Sequence, residues 1–197
     1  MAELHLPVTR KRYDSLTLSL HWLTAACVIF LFASAHVWEW LERGTPLRKG
    51  LQAVHISCGI LLTLIVVVRL AWRFTGRRSP SRAMPAPAGS PATRLLAGSV
   101  HAALYGLLAA QIVLGFLFRW AQHEPFTFFG LVDLSGWVEV SPALRHDFGE
   151  WHNAVAWAII ALVFVHALAA LVHHYLLKDD TLRRMMPGRA ITGGQRK

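Results

Sequence analysis

The chain has 197 residues, 54% of them hydrophobic, and a formal net charge of +9. The apolar residues run in four uninterrupted stretches, each at or above the roughly 20 residues a bilayer core requires, which excludes a soluble domain with one central core. The basic residues gather beside the ends of these stretches rather than along one recognition element, which argues against nucleic-acid binding.

The predicted helices are residues 16–38, 51–74, 95–120 and 151–177, an all-α, integral membrane four-helix bundle formed by one domain spanning residues 1–197. Residues 1–14 form a short polar arm with Arg10, Lys11 and Arg12 beside the first span. Arg73, Arg77, Arg78, Arg82 and Arg94 surround the second connection, and Lys178, Arg183, Arg184, Arg189, Arg196 and Lys197 follow the fourth span. By the positive-inside rule these three segments are cytoplasmic, so the N and C termini both face inward. A secretory signal is the rival reading of the first span, because Ala33-Ser34-Ala35 imitates a cleavage site; the run is longer than a signal's apolar core of about 7–15 residues, and His21-Trp22 interrupts it.

The first span carries His21 near its cytoplasmic end and His36 near its outer end, where Trp38 and Trp40 suit an interfacial belt. A short outer turn with Gly44, Thr45 and Pro46 leads to the second span, which has His55 near the outer side and Gly59 one turn beyond, leaving room for something flat against the helix. Arg69 lies fourteen residues past His55, on the same face at the depth of the inner site. Two roles suit it: a snorkelling cation at the interface, or a partner for an anionic ligand group. Residues 75–93, rich in Pro, Ala, Ser and Arg, read as a flexible cytoplasmic loop. The third span carries His101 near the cytoplasmic side, with Gly98, Gly106 and Gly115 for close helix contact. Residues 121–145 form the longest outer segment, either a cap over the bundle mouth or a plain interfacial loop. The fourth span holds His152 and His166, and His173, His174 and a polar tail follow at the inner surface.

Fourteen residues turn an α-helix back to within about 40° of its starting direction while rising about 21 Å, so His152 and His166 share a face at two depths. Ionisable side chains inside a bilayer are costly and turn toward a bundle interior. His55 and His152 lie close to the outer side and His21 and His166 to the inner, giving two pairs at two depths; His36 competes for the outer pair and His101 for the inner. Cys27 and Cys58, both within spans, read as small apolar residues.

Neutral imidazole is the commonest metal ligand. A structural zinc site needs four protein ligands, and a di-iron bundle needs carboxylates that the span interiors lack. Haem brings four nitrogens of its own and asks for two axial ligands, so two bis-histidine haems b fit the count, a ligation that favours electron transfer over oxygen binding. No CxxCH motif occurs, which excludes c-type attachment. Arg69 could pair with a haem propionate at the inner site.

The segments LSLHWL, AVHISCGILL, WHNAVAW, VHALAALVHHY and LKDDTLRRMMPG resemble the bacterial cytochrome b561 family of dihaem inner-membrane proteins. The resemblance runs through all four helices and the tail. It implies His21 with His166 on the inner haem iron and His55 with His152 on the outer one, in a multi-pass protein of the bacterial inner membrane. It further implies quinone-linked redox chemistry: superoxide oxidised at the outer face and ubiquinone reduced near the inner haem, with His173 or His174 on the quinone side if they are more than interfacial histidines. The outer segments hold more acids than bases, a poor steering field for an anion. The competing expectation is a cytochrome b anchor subunit that relays electrons between a soluble dehydrogenase or hydrogenase and the quinone pool.

Overall fold

The computed structural model describes residues 13–76 and 90–186. Its order is α1 (Ser15–Val37), α2 (Pro46–Gly76), α3 (Pro91–Gln122), a two-stranded ribbon of β1 (Thr127–Phe128) and β2 (Val132–Asp133), and α4 (Arg145–Tyr175), with single 3₁₀ turns at Trp38–Trp40, Pro142–Leu144 and Arg183–Met185. The four helices are long and apolar enough to cross a membrane. At about 1.5 Å per residue even the 23-residue α1 exceeds the roughly 30 Å hydrocarbon core. Many of their large apolar side chains, such as Ile29, Val67, Val113 and Phe164, are exposed outward, as lipid-facing residues must be.

Local chemistry sets the helix ends. The Asp14 carboxylate accepts from the Thr17 amide at 2.9 Å and its hydroxyl at 2.7 Å, capping α1. The Trp72 indole donates to the same carboxylate at 3.2 Å, tying the start of α1 to the end of α2. Burial works to raise the Asp14 pKa, but the bonds from Thr17 and Trp72 outweigh it and hold the group below its ordinary value. Ser90 caps α3 and Pro91 occupies its first turn, where a missing N–H costs nothing. The helix therefore begins inside the stretch expected as loop, and α2 runs into its other end as far as Gly76; residues 77–89 of that loop and residues 1–12 of the N-terminal arm lie outside the described ones. α3 stops where His123 adopts a left-handed conformation, φ 54°.

α1 packs along α2 and α3 along α4, whereas the two hairpins meet sparsely. Their shared core is a thin cluster of Leu20 and Cys27 from α1, Leu62, Ile65 and Val66 from α2, Leu108 from α3 and Ile159 from α4. Beside that cluster, toward the end away from the chain termini, the sparse contact leaves space within the bundle. At the end away from the chain termini, residues 123–144 fold back as a cap. The Ser57 hydroxyl on α2 donates to the Thr127 carbonyl at 3.2 Å and accepts from the Phe129 amide at 3.0 Å. The Trp120 indole donates to the Leu134 carbonyl at 2.8 Å, and Phe126 and Leu134 are buried beneath the cap. Of the two readings of this segment, the cap is the one observed.

Candidate functional site

The space at the capped end is a cavity of about 710 Å³ whose lining includes His36, His55, Gly59, Gln111, Gly115 and His152. That volume suits a cofactor-sized molecule, since ligand cavities run to about 300–1,000 Å³. Its deep wall is apolar, with Leu62, Leu108 and Ile159, and its mouth is polar, with Glu39, Arg119, Gln122, Glu124, Arg145 and Glu150. Nothing lies within 4 Å of where a Cβ on Gly59 would stand, so the room foreseen beside that glycine is real. A Cβ on Gly115 would come within 3.1 Å of His152 Cε1, so this glycine lets α3 approach the imidazole on α4.

The polar environment of His55 is directional. Ser34 Oγ donates to the Leu31 carbonyl at 3.0 Å, and a hydroxyl has one proton to give. It also stands 2.9 Å from His55 Nδ1; with the hydroxyl proton on the Leu31 carbonyl, Nδ1–H is the donor and Nε2 keeps its lone pair, the tautomer a metal ligand requires. The Trp38 ring stands 4.8 Å away and fixes the ring's other side. His152 is less satisfied. Its Nε2 faces the Gln111 amide nitrogen at 3.0 Å, while its Nδ1 and Gln111 Oε1 are both buried without a hydrogen-bond partner. Such orphaned atoms on a cavity wall mark a place where another group belongs. His36 lines the same cavity, but its Nδ1 is bonded to the Phe32 carbonyl at 2.8 Å and its ring is packed against Phe32 and Trp157.

At the end nearer the termini three imidazoles converge. The rings of His21 and His166 lie 6.4 Å apart, and those of His101 and His166 lie 5.2 Å apart. Metal–nitrogen bonds of about 2 Å, plus about 1 Å from each nitrogen to its ring centre, separate two axial imidazoles by about 6 Å across one iron. The His21 pair meets that spacing and the His101 pair falls short. His101 is exposed, with Nδ1 bonded to the Ala97 carbonyl at 2.6 Å, whereas His21 and His166 are half-buried.

Arg69 sits at this level, as its position on α2 implied, but it points into the bundle rather than out to the interface. Its Nη2 donates to His21 Nδ1 at 3.1 Å, and its guanidinium lies 5.3 Å from the Tyr105 ring centre. Beyond α4, His173 Nδ1 meets Asp179 Oδ2 at 2.5 Å, and His174 Nδ1 is buried without a partner. Partial burial works to raise the Asp179 pKa, but the bonds from His173 and from the Thr181 side chain and amide override it and hold the carboxyl at about 2. The tail is fastened to α1 by the Trp22 indole, which donates to the Met185 carbonyl at 2.7 Å.

Ser34, Gln111, Gly115 and Arg119 thus join the site although sequence reasoning gave them no role in it. Gly115 and Arg119 had a readable depth near one end of α3; the partners of Ser34 and Gln111 lie on other helices and leave no trace in the local pattern. Among the described residues no three His, Cys, Asp or Glu side chains converge on a metal position, so each histidine pair leaves most of a coordination sphere to another group. A porphyrin supplies what is missing, and the apolar, glycine-lined cavity with its unmet imidazole fits one.

Comparison with known proteins identifies the family. The family model for prokaryotic cytochrome b561 matches residues 12–188. Cytochrome b561 homolog 2 of Escherichia coli (strain K12) is 35% identical over 178 residues, covering 90% of this chain and 93% of the relative. Cytochrome b561 homolog 1 of the same organism is 30% identical over 181 residues, covering 90% and 98%. A protein of Yersinia pestis named probable superoxide oxidase CybB is 29% identical over 177 residues, covering 90% and 97%. With the match running through all four spans, this multi-pass membrane protein belongs to the prokaryotic cytochrome b561 family of electron-transfer proteins, whose cofactor is haem b.

Proposed function

We propose that the chain carries two haems b, one between His21 and His166 and one between His55 and His152, and passes electrons between them from superoxide at the outer face to ubiquinone in the membrane. The observation that supports this most is the 6.4 Å spacing of the His21 and His166 rings, one helical stripe away from a cavity that His55 and His152 share. The ligands on α4 are separated by about 21 Å along the helix, enough to place two sites at different depths. The positive-inside rule supports cytoplasmic termini, and with them the capped cavity on the outer side.

Haem b supplies one-electron transfer when bound; the chain's own residues set where and with what protons. Ser34 holds His55 in the ligating tautomer, and Gln111 stands against His152. Glu124 and Phe126 of the cap contribute to the cavity wall. Two superoxide ions give up one electron each and leave as dioxygen, while ubiquinone gains two electrons and two protons to become ubiquinol. Those protons need a carrier at the inner end, and His173, bonded to Asp179, with His174 beside it, supplies titratable groups there on the quinone side. The relative named probable superoxide oxidase, alike over nearly its whole length, supports superoxide as the donor.

The test is a visible spectrum of the detergent-purified protein on adding enzymatically generated superoxide and then ubiquinone. Reduction of haem by superoxide and reoxidation by ubiquinone are expected. Haem indifferent to superoxide would replace this reading with that of a relay subunit for another dehydrogenase.

A further inference from the structure

We propose that Arg119 holds a propionate carboxylate of the haem bound between His55 and His152, taking it in preference to its present partner Glu124. The inference rests on the reading of the outer cavity as a haem site and adds the group that orients the haem within it. A haem is an apolar disc with two carboxylates on one edge. The cavity has the matching polarity, with Leu62, Leu108 and Ile159 at depth and charged side chains only at the mouth.

Of those charged side chains, Glu39, Glu124, Arg145 and Glu150 are exposed and Arg119 alone is half-buried, its side chain 18% accessible. A guanidinium carries five N–H donors and stays charged at any ordinary pH, so withdrawing it from water calls for an anion. Its present partners do not meet that need. Gln122 is close but neutral. Glu124 Oε2 stands at 3.5 Å on a side chain 62% exposed, the Pro125 carbonyl stands at 3.4 Å, and Nε is buried with no acceptor. The Phe126 ring lies 5.5 Å from the guanidinium carbon and restrains the fork, so the donors are aimed before any ligand arrives.

The measurement is a spectroelectrochemical titration of full-length, haem-loaded wild type and Arg119→Gln, with haem counted per chain. The outer haem is identified as the component that His152→Ala lacks. Arg119→Gln is expected to retain both haems, to lower the midpoint potential of the outer haem alone, and to make that potential vary with pH between about 6 and 8, because a carboxylate relieved of its cation begins to titrate in step with the iron. If Arg119→Gln binds fewer than two haems, Arg119→Lys is read instead: it keeps the charge and loses the fork, so a lowered and pH-dependent outer potential supports the assignment and wild-type behaviour contradicts it. Two retained haems with unmoved potentials, or both potentials falling alike, would overturn the role of Arg119 while leaving the haem sites standing. A wild-type outer potential that responds to added phosphate at constant ionic strength, with no response in Arg119→Gln, would show that the site takes a free anion instead. A wild type lacking the outer haem would remove the cavity reading itself.

Discussion

At the scale of single residues, the imidazoles differ in what their ring nitrogens meet. Ser34 Oγ stands at His55 Nδ1, the Gln111 amide nitrogen at His152 Nε2 and the Arg69 guanidinium at His21 Nδ1, and the rings of His55 and His152 both line the cavity. His55→Ala or His152→Ala should therefore lower the haem content of the purified protein by one per chain. His101→Ala should leave it unchanged, because the His101–His166 ring distance of 5.2 Å is short of the bis-axial spacing. Loss of haem from the His101 variant would reassign the inner pair. At the tail, Asp179 ionises with a pKa of about 2 against an ordinary 3.8, so its bonds to His173 and Thr181 stabilise the folded tail above pH 4 and lose that contribution as pH falls toward 2. Asp179→Asn is expected to cost about 1 kcal/mol or less at neutral pH, given the partial exposure of the pair. Thermal unfolding of the two proteins should show that difference closing between about pH 5 and pH 2; a difference independent of pH would mean that the carboxylate charge is not what matters.

At the scale of elements, the second helix brings His55 to the cavity and, four residues later, a gap at Gly59. Gly59→Leu places a side chain where nothing lies within 4 Å, so it should not disturb the helix contacts, yet it fills the face presented to the cavity. The expected outcome is a membrane-inserted protein of normal yield that has lost one haem by pyridine haemochrome assay; a full haem complement would show that the gap beside Gly59 is not the cofactor's. The four helices and this gap were legible in the sequence, because run length and a fixed turn angle need no tertiary information. The helix ends were less so. Residues 46–50, 91–94 and 145–150 are polar enough to end an apolar run, but they continue the helices beyond the bilayer core, and on α3 the cap comes from Ser90 with Pro91. That His21 and His166 lie at one depth could be read from their positions along the helices, whereas the places of Ser34, Gln111 and Arg119 depend on which helices become neighbours, and a single chain's pattern does not encode that locally.

At the scale of the whole molecule, two helical hairpins share only a thin core at mid-depth, and the histidine pairs lie on either side of it. A bundle packed only for its own stability would close such space; on the capped side it stays open, walled by glycine and imidazole, with Glu124 and Phe126 of the cap at its edge. The arrangement supports two cofactors at separate depths with an electron path between them. The measurement that tests this most directly is haem per chain in the purified full-length protein, combined with low-temperature electron paramagnetic resonance of the oxidised form. Two haems b per chain, both low-spin as bis-imidazole ligation dictates, are the result expected. A single haem, or a high-spin signal from an iron with one imidazole, would contradict the two-site account.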